Sequence, residues 1–90
     1  MSYDYVCCRS WLFTDEGQRV FLKARDHAKE LLKKAGAFRM GSAMAGFSAG
    51  DTDHAMACID RMVELGEIVE LPRECWGQYR VFTTAEVHNR

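Results

Sequence analysis

The sequence predicts an α+β fold: two long helices with a short helix between them, then a C-terminal β-hairpin. Three observations predict it. Apolar residues recur at spacings of three and four in two separate stretches, which is the period of a helix with one buried face. After Gly66 the pattern changes to β-branched and aromatic runs. Ninety residues with one proline and 48% hydrophobic composition suit one core, so residues 1–90 read as a single domain.

The elements follow in chain order. Tyr3, Tyr5, Cys7, Trp11 and Phe13 occupy odd positions, interrupted at Arg9, so residues 1–13 read as a short strand or extended arm lying on an apolar surface. Thr14 is a good helix N-cap, and Asp15 and Glu16 complement the positive end of the dipole, although Gly17 stands where a glutamate would complete a capping box. Val20, Phe21, Ala24, Ala28, Leu31, Leu32 and Ala35 then form one stripe, with Lys33 and Lys34 near the negative end and Gly36 as the stop. This predicts a helix over residues 15–35.

Residues 36–50 carry four glycines, yet Met44, Ala45 and Phe47 offer an apolar face and predict a short helix near 42–47. Asp51, Thr52 and Asp53 mark the start of the second long helix, whose stripe is Ala55, Met56, Ile59, Met62 and Val63 and whose stop is Gly66. Residues 67–71 and 78–84 read as hairpin strands divided by a loop through Pro72 and Gly77, with residues 85–90 a frayed tail.

The order of elements, together with Met44, Ala45, Ala49, Ala55, Ile59, Met62, Gly66 and Ile68, resembles the winged helix-turn-helix family over residues 44–82. The resemblance implies a winged-helix-like fold in which a small residue lets two helices cross closely. It also implies a small DNA-binding or transcription-regulatory protein, with the third helix in the major groove and the wing on phosphates. The candidate contacts to duplex DNA are then Arg39, His54, Arg61, Arg73, Trp76 and Arg80.

Charge pulls against that expectation. The whole chain carries a net charge of -1, which leaves only a local patch to attract nucleic acid. Residues 51–71 hold six acids (Asp51, Asp53, Asp60, Glu64, Glu67 and Glu70) against Arg61 alone, a net charge of -5. An acid beside a phosphate is repelled and releases no counterion. The alternative is a protein-interaction or assembly module that offers Asp53, Asp60, Glu64 and Trp76 to a basic protein partner. Residues 15–35 hold six Lys and Arg against four acids, and read as an ordinary solvated helix face.

No pattern asks for a cofactor or a metal. Cys7, Cys8, Cys58, Cys75, His27, His54 and His88 lack the spacing of a zinc site. Residues 41–50 lack the lysine of a phosphate-binding loop. His54 and Cys58 share a helix face at i and i+4, but no oxyanion-hole loop accompanies them, so the expectation is a protein that is not an enzyme. No run approaches the roughly 18 apolar residues of a membrane span, and no basic, apolar leader opens the chain, so a cytoplasmic protein with reduced thiols is expected. The aromatics of the arm could pack on a second copy as a homodimer contact, although burial in the same subunit is the simpler account.

Overall fold

The computed structural model describes residues 3–71 and 79–84. The elements are α1 (Tyr5–Cys8), a 3-10 turn (Arg9–Phe13), α2 (Asp15–Ala35), β1 (Ala37–Arg39), α3 (Met40–Met44), α4 (Thr52–Glu64), β2 (Val69–Glu70) and β3 (Val81–Thr83). The three strands form one antiparallel sheet in the order β1-β3-β2, with Phe38 opposite Phe82 and Val69 opposite Thr83. A helix, an edge strand, two further helices and a hairpin pairing back onto that strand make an α+β, winged-helix-like arrangement.

Helix α2 begins and ends as its sequence dictates. The Thr14 hydroxyl accepts the Gly17 N–H, and Gly36 closes the helix in the left-handed region (φ 79°), where its N–H bonds the Leu32 carbonyl. Val20, Phe21, Ala24 and Ala28 form its buried face. In α4 the Asp51 side chain accepts the Asp53 N–H, and Ala55, Ile59 and Met62 face the core. Phe82 and Phe38 stack at 5.5 Å and, with Leu12, Met40, Ile59, Met62 and Ile68, close that core from the sheet side.

Two sequence expectations are displaced and one strand is added. Residues 5–13 are helical instead of extended: the Asp4 carboxylate accepts the Val6 N–H and starts α1, and the 3-10 turn follows directly. The odd-numbered aromatics reflect packing partners, not a strand period. The short helix lies at Met40–Met44 instead of 42–47, because Met40 and Ala43 bury themselves fully while the chain from Gly46 to Gly50 leaves the helix. Strand β1 was not expected. It is three residues long with one inward side chain, Phe38, too short to show a period of two.

Gly17, which leaves the capping box incomplete, is required for another reason. A β-carbon there would lie 2.0 Å from the Trp11 carbonyl oxygen, so only glycine lets the 3-10 turn rest on the first turn of α2. Gln18 Nε2 donates to the Leu12 carbonyl at 2.6 Å in the same contact, which buries Leu12 completely. The N-terminal segment is thereby part of the core.

Candidate functional site on helix α4

At ~100° per residue, Asp53, His54, Ala57, Asp60, Arg61 and Glu64 share one side of α4, opposite Ala55, Ile59 and Met62. In a winged-helix arrangement this is the side turned away from the core. Here it is covered. Ala57, at the centre of the stripe, is fully buried, and Tyr3, Tyr5, Cys8 and Trp11 pack against the cluster that contains it.

The N-terminal segment docks through specific polar contacts. The Tyr3 hydroxyl donates to Asp60 Oδ2 at 2.7 Å, and the Tyr5 hydroxyl donates to Glu64 Oε1 at 2.7 Å. Arg9 Nε donates to both oxygens of Glu64, at 3.0 and 2.9 Å, and Arg61 adds a third cationic hydrogen bond at 2.6 Å. Trp11 stacks flat on His54, with ring centroids 4.1 Å apart and planes 8° from parallel. The exposed Phe13 ring lies 5.0 Å from the Arg9 guanidinium and 5.1 Å from that of Arg61, within cation–π range.

These contacts set the titration of the groups involved. The Tyr5 hydroxyl, with the help of Arg61 and Arg9, holds the Glu64 carboxyl down to about 2. Tyr5 is pushed up to about 12, by burial first and then by its bond to Glu64. Tyr3 is raised further for the same kinds of reason, burial and then Asp60.

Arg80 joins the hairpin to the same face. Its guanidinium makes two hydrogen bonds to Glu70 on β2, at 3.0 and 2.7 Å, and two to Asp60 on α4, at 3.2 and 2.7 Å. Its side chain is 15% exposed. Bonding to Glu70 and then to Asp60 raises its pKa, so the cation is permanent and committed within the protein.

Among the described residues, those expected to meet DNA are held in internal contacts, with Arg39 the exception. His54 is stacked beneath Trp11, Arg61 is held by Glu64, and Arg80 is clamped between two carboxylates. Arg39, at the end of β1, is exposed with no side-chain partner among the described residues. Arg73 and Trp76 lie outside the described residues. The acids proposed for a basic partner are likewise engaged: Asp60 is 11% exposed and held by Tyr3 and Arg80, and Glu64 by Tyr5, Arg9 and Arg61. Asp53 is half-buried beside the segment, close enough to Cys8 to raise its thiol pKa after burial has done so.

Sequence reasoning missed Tyr3, Tyr5, Arg9 and Trp11 as the partners of that acidic stripe. The signal was a tyrosine- and tryptophan-bearing segment with Arg9 ahead of the first long helix and an unbalanced acidic one after Asp51.

Cys58 is fully buried, and burial pushes its thiol up to about 12, which removes the thiolate that a His54–Cys58 pair would need. Among the described residues no group of three or more His, Cys, Asp and Glu is placed to hold a metal, and no helix is long and apolar enough to cross a membrane. An open groove of about 290 Å³ runs from Met44 and Phe47 to Thr52 and Ala55. No family model matches the chain, and no curated protein or solved structure matches it.

Proposed function

We propose that this chain is a non-enzymatic protein-interaction module on a winged-helix-like frame, whose α4 face receives a helical segment bearing tyrosine, tryptophan and arginine. One observation carries this reading: residues 3–13 fill that face within the chain itself, Asp60 accepting the Tyr3 hydroxyl and Glu64 accepting the Tyr5 hydroxyl and the Arg9 guanidinium. A face built to accept donors suits a protein segment rich in N–H and O–H groups. It suits a phosphate backbone, which offers only acceptors, poorly. The reading of α4 as a DNA recognition helix loses its main cations to internal pairs.

Two titrations test the proposal. A labelled peptide with the sequence of residues 1–14 is titrated with the Trp11→Ala chain, in which the intramolecular segment is loosened. Saturable binding is expected, at least tenfold tighter than to the natural chain and lost when Asp60→Asn and Glu64→Gln are added. Equal or absent binding to both chains overturns the proposal. Mixed-sequence duplex DNA titrated from low to physiological salt should give no saturable signal. Tight, steeply salt-dependent binding would restore the DNA-binding reading, through Arg39 and Arg73.

A further inference from the structure

We infer that the outside occupant of the α4 face is the N-terminal segment of a second copy of this chain, exchanged reciprocally about Thr14. The inference rests on the interaction reading above and names its partner. Tyr3, Tyr5 and Arg9 reach across sequence separations of 57, 59 and 55 residues to grip α4 by side-chain contacts. The same contacts form between two copies with no new complementarity, because a twofold exchange repeats each of them twice.

The covalent link permits it. Thr14 is already extended (φ -80°, ψ 162°), and the return of the chain depends on a small set of local bonds: the Thr14 N–H and hydroxyl both donate to the Trp11 carbonyl, at 3.1 and 2.6 Å. Opening at this point releases those two bonds within one copy, while the Gln18–Leu12 bond and the seat of Trp11 on Gly17 re-form between copies with the rest of the docking surface. Phe13, one residue before the hinge, is 52% exposed in the closed chain. A twofold crossing sets the two hinges side by side and gives each Phe13 ring apolar surface to cover.

The hinge also supplies the variant. Proline fits the φ of Thr14 but removes its N–H, and it pushes Phe13, now helical, toward extended backbone. Thr14→Pro therefore disfavours the tight return, at the cost of the Thr14 cap on Gly17 and of the Phe13–Arg61 contact, and leaves the Tyr3, Tyr5 and Arg9 contacts with α4 in place.

The mass of the natural chain is measured by analytical ultracentrifugation from micromolar to millimolar concentration, and that of Thr14→Pro alongside it. Isotope-filtered NMR on a mixture of labelled and unlabelled natural chain then asks whether the Trp11 ring of one copy meets the His54 ring of another. The expected result is a concentration-dependent dimer with that intermolecular contact, and a dimer dissociation constant at least tenfold lower in Thr14→Pro.

A natural chain that stays monomeric at millimolar concentration overturns the inference, as does a dimer without the Trp11–His54 contact between copies. An unchanged dissociation constant in a folded Thr14→Pro overturns it as well. If Thr14→Pro fails to fold, the natural chain decides alone. Peptide binding to the Trp11→Ala chain without a natural dimer would leave the interaction module standing and remove only the second copy as its partner.

Discussion

Tyr3 and Asp60, 57 residues apart, meet through a 2.7 Å hydrogen bond that ties the start of the chain to its last long helix. Asp60 also accepts two bonds from Arg80, which holds Glu70 on the neighbouring strand. One carboxylate thus joins the N-terminal segment, α4 and the hairpin.

That network is predicted to be cooperative. Tyr3→Phe removes one hydrogen bond at a half-buried site and should cost about 1 kcal/mol. Arg80→Met should cost more, about 1–3 kcal/mol, because it leaves Asp60 and Glu70 facing each other without their shared cation. Urea unfolding of both single variants and the double variant measures the coupling. A double variant that is simply additive would mean that Tyr3 and Arg80 act on Asp60 independently. Charge reversal at Asp60 and Glu64 is expected to lower the melt for the same reason.

Gly17 and Gly36 should fail in different ways. Gly17→Ala forces the 3-10 turn away from α2, because the new methyl group meets backbone at the Trp11 carbonyl. A cost of about 1–3 kcal/mol is expected, with loss of the Trp11 fluorescence environment. Gly36→Ala meets no atom within 4 Å but holds a left-handed conformation, for a cost of about 1–2 kcal/mol with that environment unchanged. Thermal melts followed by tryptophan fluorescence and by circular dichroism separate the two.

Docking of the segment should depend on pH at both extremes. Glu64 titrates near 4.5 when free and near 2 here, so its contribution is complete above pH 4.5 and is lost as pH falls through about 2. Tyr5 moves from 10 to about 12, so its contribution is complete below pH 10 and is lost as pH rises through about 12. Glu64→Gln should remove the acid-side loss, read as amide protection of residues 5–9 between pH 2 and 5. A Glu64→Gln chain with an unchanged profile would assign the acid transition to other carboxylates.

The thiols should separate by access. Cys7 is exposed, although its bond to Asp4 raises its pKa, whereas Cys58 is sealed in the core and pushed up to about 12. Iodoacetamide at pH 8 should label Cys7 readily and Cys58 only on unfolding. Mass spectrometry of the digested protein reads this directly. Labelling of Cys58 at a rate near that of Cys7 would mean that α4 opens far more often than its burial implies.

Neighbours along the chain decide the ends and the buried faces of the two long helices. Thr14, Gly36 and Asp51 place the ends of α2 and α4 through caps and a left-handed stop. The stripes from Val20 to Ala28 and from Ala55 to Met62 fix which faces are buried. The hairpin was legible in the change of period after Gly66. Contacts between distant elements decide the rest, among them Tyr3–Asp60, Arg9–Glu64, Arg80–Asp60 and Phe38–Phe82. The acids of α4 look like a free surface in sequence because their cations, Arg9 and Arg80, lie on other elements. Phe38 shows as a strand residue only once Phe82 is beside it. Periodicity and capping are local, whereas charge pairing and the closure of a helix face are set by the folding of distant segments onto one another.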